Sequence, residues 1–250
     1  GNEEDDNSGV IRYVRVAEGG LVAGPNNEIN GLTLQGVGHG TTIEYVQVHG
    51  NLDDGVEWFG GTVNAKFLVL TNNDDDDIDF DEGYRGNIQW AIVQKNPTAD
   101  APQGSNDPRG IEANSSDEDY VPETEAVLAN ITLIGSDVVN NDDAQEGPQP
   151  GMRLRGAVIA GIYNSSIDEF DKGCIRIDDA DVNGDDSLII ESDIMLVNVL
   201  GDCAGGFYER READNAVNVQ ELTLSYSSTL AIQEAAAQLD SAPVINAVNN

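Results

Sequence analysis

Short stretches of alternating apolar and polar residues recur along this chain, as in Gly55–Gly60 (GVEWFG) and Asp77–Glu82 (DIDFDE). Alternation with a period of two is typical of a β-strand with one buried face. One inward position of these stretches holds, in chain order, Leu32, Val56, Ile78, Ile111, Met152 and Ile175. The next inward position holds Leu34, Trp58, Phe80, Ala113, Leu154 and Ile177. The pattern therefore predicts a set of short strands with equivalent positions.

The spacing of the strands indicates a repeat. Ile43–Gly61 aligns without a gap with Ala65–Gly83, 22 residues further on. A second set of strands precedes the short ones: IRYVRV, IEYVQV, AKFLVL, IQWAIV and, more loosely, LANITL and IMLVNV. A repeat of this length, built from two short strands and turns, forms one coil of a solenoid. We therefore predict an all-β fold, a right-handed parallel β-helix of six or seven coils of about 22 residues.

The ends of the chain add two expectations. Ser228–Asp240 has the composition of a short helix, which would cap the last strand against edge pairing. No apolar run is long enough to span a membrane, and we expect no signal peptide within these residues. The first strand begins almost at once, at Val10. We expect residues 1–250 to form a single β-helix domain, either mature or part of a longer parent with further N-terminal coils.

The charge of the chain restricts its partners. There are 46 acidic and 12 basic residues, for a net charge of −34. Such a field repels nucleic acid and anionic membrane surfaces, and it attracts cations. An excess of aspartate with little lysine is typical of exported proteins in salt water or of proteins loaded with calcium. We therefore expect no nucleic-acid partner and no direct membrane insertion.

The two cysteines, Cys174 and Cys203, lie one coil apart in the predicted solenoid. Neighbouring coils bring their backbones within the range of a disulfide. The pattern favours a disulfide over two separate thiols, because the other features indicate an exported protein.

One calcium candidate is a motif in the sequence DADVNGDDSLIIE, which begins at Asp179. Its start places alternating side-chain oxygens around a tight turn, as a calcium loop requires. The closing glutamate comes one residue late for an EF-hand, and flanking helices are absent. The predicted ligands are Asp179, Asp181, Asn183, Asp185 and Glu191.

A second calcium candidate lies at a corner of the coil. Stacking would place Asp53 and Asp54 against Asp75 and Asp76, with long inserts on either side. Carboxylates about 5 Å apart repel each other by roughly 1 kcal/mol or more, which a bound Ca²⁺ would relieve. The alternative is a solvated run of charges. Asn51 above Asn73 is simpler to interpret as a structural amide ladder.

A third group of polar residues lies between the two inward positions of the short strands. Glu57, Asp79 and Glu112 would occupy consecutive rungs, followed by Arg153 and Arg176. Carboxylates one rung apart match the separation in retaining glycosidases, about 5–5.5 Å. Arg153 and Arg155 beside them could bind an acidic sugar. The alternative, which we favour, is a ladder of ion pairs on a solvent-exposed sheet.

The segments NSGVIRYVRV, DDGVEWFGGTVNAKFLVL and GCIRID resemble a known family. It comprises exported, aspartate-rich β-helix proteins of marine gammaproteobacteria and Bacteroidetes, often labelled lipoproteins or hypothetical secreted proteins. The resemblance covers most of the chain and implies a cell-surface or extracellular location and a longer parent. It implies no settled activity and therefore no catalytic residue.

Two classes of function are consistent with the sequence. The first is an extracellular, calcium-stabilised β-helix scaffold that binds polysaccharide or associates with copies of itself. The second is a hydrolase or lyase acting on acidic marine polysaccharide, with Glu57, Asp79, Glu112 and Arg153 as its site. We favour the first, because an outward face and a neighbouring arginine keep a carboxyl ionised, whereas a glycosidase needs one carboxyl protonated.

Overall fold

The computed structural model describes residues 3–21, 23–24, 29–96, 108–115, 121–136, 149–177 and 193–208. All the helix or strand structure in these residues is β-strand, arranged in two parallel sheets. The long-strand sheet contains, in spatial order, β1 (Val10–Ala17), β3 (Thr42–His49), β5 (Ala65–Thr71), β7 (Asn87–Gln94), β9 (Glu125–Ile134), β11 (Ile159–Asp168) and β13 (Asp193–Asp202). The short-strand sheet contains β2 (Leu32–Gln35), β4 (Val56–Phe59), β6 (Ile78–Asp81), β8 (Ile111–Asn114), β10 (Met152–Arg155) and β12 (Ile175–Ile177).

Each of the first six coils consists of one long and one short strand, and neighbouring coils pair in parallel. The first inward column stacks in register: Leu32, Val56, Ile78, Ile111, Met152 and Ile175. From Val56 onward these side chains are completely buried. The predicted parallel β-helix is therefore confirmed, while its right hand and its C-terminal helix remain predictions, the helix because Ser228–Asp240 lies outside the described residues.

One long strand, β11, has no counterpart among the strands predicted from the sequence. Its inward column carries Ser165 where β13 carries Val199 and β5 carries Leu68. The Ser165 hydroxyl donates to the Tyr163 carbonyl at 2.8 Å and accepts from the Ile131 N–H at 3.1 Å. Because both hydrogen bonds are made, a buried serine is tolerated here. The polar residue hides the alternation on which the prediction depends.

The long strands share a local bend. One outward residue in each has a positive φ of 49–60°. In chain order these residues are Tyr13, Tyr45, Phe67, Trp90, Asn130, Asn164 and Asn198. Left-handed backbone is costly for bulky side chains, and asparagine tolerates it best after glycine. The same position in seven coils therefore carries a backbone strain that asparagine relieves in three of them.

Cys174 and Cys203 form a disulfide, with their Cα atoms 5.5 Å apart. The bond joins the sixth coil to the segment that follows β13, close to where Tyr208 forms a parallel bridge with Ile175. A crosslink at this place ties the last described coil to its neighbour. Within the described ranges, no helix is long and apolar enough to cross a membrane.

Candidate functional site

The outward face of the short-strand sheet carries a column of charged residues. Glu57 on β4, Asp79 on β6 and Glu112 on β8 occupy consecutive rungs. The column continues to Arg153 on β10 and Arg176 on β12. A parallel sheet in register places like positions about 4.8 Å apart. One half of this face is therefore acidic and the other half basic, with Glu112 at the boundary.

A second set of carboxylates lies at the corner just before these strands. The Asp54 Oδ1 atom accepts from the Asp76 N–H at 3.0 Å, and the side chains of the two residues are 5% and 2% exposed. Beneath them, the Asn51 N–H donates to the Asn73 Oδ1 atom at 3.0 Å. The acidic turns that contain Asp54 and Asp76 therefore stack on each other. The side chains of Asp54 and Asn73 each accept a hydrogen bond from the backbone of the neighbouring coil.

The corner and the column together bring carboxylate oxygens within 4.8 Å of one another. Three overlapping groups result: Asp53, Asp54 and Asp75; Asp54, Glu57 and Asp79; Asp76, Asp79 and Glu112. Asp54 and Asp79 each belong to two of these groups. Hard cations such as Ca²⁺ prefer carboxylate ligands, so this donor set fits such an ion. The sequence predicted Asp53, Asp54, Asp75 and Asp76 as ligands but treated Asp79 and Glu57 as a separate site.

The electrostatics of this cluster favour either protonation or a bound cation. Burial raises the pKa of Glu57 to about 7, opposed by a hydrogen bond from Asn30 and reinforced by the charge of Asp81. Burial raises the pKa of Asp79 well above its ordinary value, and the charges of Glu112 and Glu57 add to the effect. The pKa of Asp54 is raised in the same way, first by burial and then by the charge of Asp79. Among the described residues, neither Glu57 nor Asp79 forms an ion pair.

Two buried cations form ion pairs with acidic residues in and beside the cluster. The Lys95 Nζ atom lies 2.8 Å from the Asp77 Oδ2 atom and donates to the carbonyls of Asp75, at 2.6 Å, and Arg109, at 3.1 Å. The Arg109 Nη1 atom lies 3.3 Å from both the Asp76 Oδ2 and the Glu112 Oε2 atoms. Lys95 and Arg109 lie near the two ends of the long insert in the fourth coil, residues 94–109, and nothing in the sequence indicated that they would be buried. Their contacts hold the acidic corner against the short-strand sheet.

Glu112 differs from the other two carboxylates of the column. It lies 2.9 Å from the Arg155 Nε atom and 3.4 Å from the Arg153 Nη1 atom. Burial would raise its pKa, but the guanidinium groups of Arg109, Arg155 and Arg153 outweigh this effect and lower the pKa. Glu112 is therefore ionised, while its neighbour Asp79 tends towards protonation.

The expectation of a solvent-exposed face is wrong, whereas the cross-rung ion pair between Arg153 and Glu112 is present. Glu112 is only 9% exposed, and Glu57 and Asp79 are half-buried, because the corner residues pack beside them. Arg153 pairs with Glu112 alone among the three carboxylates of the column, so the ladder of ion pairs ends at that rung. An outward direction in the alternation of a strand does not guarantee contact with solvent.

The other predicted calcium ligands cannot be placed relative to this cluster. Asp179, Asp181, Asn183, Asp185 and Glu191 lie outside the described residues. A further carboxyl that the sequence analysis did not single out acts on the cluster through its charge. Asp81 lies beside Arg155, and burial followed by the charge of Glu82 raises its pKa to about 7. The sequence could have indicated this carboxyl, because Asp81 is the second outward residue of β6.

Comparison with known proteins agrees with this architecture. Residues 1–239 match the family model described as the pectate-lyase-like beta helix domain. The chain therefore belongs to the pectate-lyase-like beta-helix family. A search of curated proteins gave no match, and a search of solved structures gave none either.

Proposed function

We propose that this chain binds an acidic polysaccharide outside the cell, through the outward face of its short-strand sheet and with the help of calcium. In this proposal Asp54, Glu57 and Asp79 hold the ion, and Arg153 and Arg155 contact a carboxylate of the sugar. The observation that carries the proposal is the order of charges on one face. Carboxylates without a cation partner in the described structure adjoin arginines in the next coils.

The group formed by Asp54, Glu57 and Asp79 is favoured over the other two. The group containing Asp76 and Glu112 already has Arg109 between its carboxylates. By contrast, the repulsion at Glu57 and Asp79 is not compensated by a described lysine or arginine. Ca²⁺ takes six to eight oxygen ligands. Three carboxylates therefore leave positions for water and for the carboxylate of a glycan.

Membership of a polysaccharide-related family and the disulfide between Cys174 and Cys203 both support this proposal. Disulfides persist mainly in oxidising environments, which favours an extracellular location. An acidic glycan would be repelled by a chain of net charge −34 unless a cation neutralised the point of contact. Calcium dependence is therefore the most direct expectation of the proposal.

The test is binding of polygalacturonate and alginate, measured by calorimetry in calcium and in chelator at equal ionic strength. We expect binding in calcium only, and its loss in the variant Asp79→Asn. The control is Glu44→Gln, which removes a carboxylate from an ion-paired cluster on the other sheet. Equal binding by Asp79→Asn and the native chain, or binding unaffected by chelator, would rule out the proposed ion site.

A second candidate function is cleavage of the bound glycan. The observation that favours it is the opposite shift of pKa in adjacent carboxyls, lowered in Glu112 and raised in Asp79 and Glu57. Such pairs supply the acid and the base of glycosidases. New reducing ends or unsaturated products from polygalacturonate, lost in Glu57→Gln with the fold intact, would establish an enzyme. Binding without products would leave the scaffold function.

A further inference from the structure

The outward face of the long-strand sheet carries a continuous stack of aromatic rings. Tyr13, Tyr45, Phe67 and Trp90 follow one another in the first four coils. Successive ring centroids are 4.8, 4.6 and 4.9 Å apart, and the interplanar angles are 11°, 13° and 3°. The rings therefore face one another along the axis of the solenoid and present their edges outward.

These rings occupy a position where asparagine would cost less. All four have a φ between 54° and 60°, a conformation that bulky residues rarely adopt. The same position in the next three coils holds Asn130, Asn164 and Asn198. Asparagine tolerates this backbone, and the Asn198 side chain donates to that of Asn164 at 3.1 Å. Fold formation alone therefore does not require aromatic residues in the first four coils.

A groove runs beside the stack and encloses about 610 Å³. Its other wall is the next outward column, which contains Gln47, Val69, Ile92 and Thr132. Trp90 is 44% exposed and Ile92 is 50% exposed. No residue that lines the groove is charged, although the chain carries a net charge of −34. Exposed apolar surface of this kind marks binding sites on soluble proteins.

We propose that this groove, which we call the aromatic groove, binds a neutral polysaccharide. Sugar rings present apolar C–H faces and edges to aromatic side chains, and hydroxyls to amides. The lining offers both kinds of surface, since Gln47 lies at one end of the groove and Asn130 and Thr132 at the other. An uncharged ligand meets no repulsion from the acidic chain and needs no cation, so the absence of charge selects it over an acidic glycan.

The straight course of the groove fits a linear polymer. Equivalent positions repeat about every 4.8 Å along parallel strands. The groove is lined by Tyr45, Phe67 and Trp90, and its two ring-to-ring steps offer an extended ligand a series of equal contacts, which a single small sugar would not fill. This surface lies on the opposite sheet from the calcium site proposed above, and it does not depend on that proposal.

The chain supplies its own probe for this inference. It contains two tryptophans, of which Trp58 is completely buried and Trp90 is exposed in the groove. Acrylamide quenching of fluorescence therefore reports mainly on Trp90. We expect cellohexaose or mannohexaose to protect Trp90 from acrylamide in the presence of chelator. Polygalacturonate should give no such protection under the same conditions.

Substitution by asparagine gives the matched variants, because coils five to seven already carry it at this position. We expect Tyr45→Asn and Phe67→Asn to weaken binding of the neutral hexasaccharide by about tenfold each, measured by calorimetry. The control is Leu200→Thr, which changes an exposed residue of the Ile92 column in the seventh coil, away from the groove. Thr132 already occupies that column in the fifth coil.

Two results would overturn the inference. The first is unchanged quenching of Trp90 at saturating concentrations of both neutral hexasaccharides. The second is protection of Trp90 without any glycan, rising with protein concentration and accompanied by dimers in sedimentation. That outcome would assign the groove to contact between copies of the chain. Loss of calcium-dependent binding to polygalacturonate would bear only on the other site.

Discussion

The two outward faces of this solenoid use the same backbone repeat in opposite ways. On the short-strand sheet, charged side chains stack on one another and are half or fully buried. On the long-strand sheet, uncharged rings stack on one another, and three of the four are exposed. The inward columns of both sheets are apolar, with the exception of Ser165 on β11. The difference shows that stacking fixes which residues meet, while the residues packed beside them, such as Asp54 and Arg109 at the corner, decide whether they meet in water.

The energetic consequences of stacking differ accordingly. Aromatic rings attract each other at this spacing, whereas carboxylates repel unless a cation or a proton intervenes. The short-strand face contains two buried cations that meet this requirement in part, Lys95 and Arg109. We therefore expect substitutions on the short-strand face to have large effects and those on the long-strand face to have small ones.

The largest effect is expected from Lys95→Met. This substitution leaves Asp77 buried without its ion pair and removes a donor from two backbone carbonyls. Removing one partner of a buried pair costs about 3–5 kcal/mol. Urea denaturation should show this loss in the free energy of unfolding. The double variant Lys95→Met with Asp77→Asn should recover part of it, and a single variant as stable as the native chain would contradict the role given to Lys95.

The fold was more predictable than the site. The inward columns on β4, β6 and β8 follow from residues whose alternation is intact, such as Val56 and Trp58. The strand β11 was missed because Ser165 takes an inward position, which only its two hydrogen bonds explain. The alternation of apolar and polar residues identifies inward positions only where they are apolar. It fails where a buried polar residue forms its hydrogen bonds with a neighbouring coil.

The site was predicted in its register but not in its environment. The order Glu57, Asp79, Glu112 follows from the repeat, since each occupies the same place in its strand. The environment of Glu112 depends on Arg109, whose Nη1 atom lies 3.3 Å from the Glu112 Oε2 atom. Nothing in the sequence near Arg109 predicts this contact, which is tertiary. Contacts of this kind account for most of what was not foreseen.

Calcium should produce the second largest effect. Because an ion bound only by the native state stabilises it by mass action, Ca²⁺ at a hundred times its Kd should add about 2.7 kcal/mol to the free energy of unfolding. We expect a higher Tm in calcium than in chelator at equal ionic strength. The variant Asp79→Asn should lose most of this difference, whereas Glu44→Gln should keep it. Identical Tm values for the native chain in calcium and in chelator would contradict the calcium site proposed on the short-strand face.

A smaller effect is expected from pH in the presence of chelator. The pKa of Glu57 is raised from 4.5 to about 7 by folding, so the native state holds a proton that the unfolded state releases. The stability that Glu57 contributes is therefore fully present below about pH 4.5 and is lost as the pH rises through about 7. Melting curves from pH 5 to 8 should show Tm decreasing with pH. Glu57→Gln should reduce this dependence but not abolish it, because the pKa of Asp81 is also raised to about 7. A native Tm that rises with pH over this range would show that other groups dominate.

The smallest effect on stability is expected from Phe67→Asn in the aromatic stack. The substitution removes two ring contacts, with Tyr45 and with Trp90, each of which contributes about 0.5–1.5 kcal/mol. Asparagine tolerates the positive φ at this position better than phenylalanine does, which offsets part of that loss. We expect a net change in the free energy of unfolding of about 1 kcal/mol or less, measured in urea. A loss as large as that of Lys95→Met would show that the rings hold the coils together, and the contrast between the two faces would then be one of chemistry but not of structural importance.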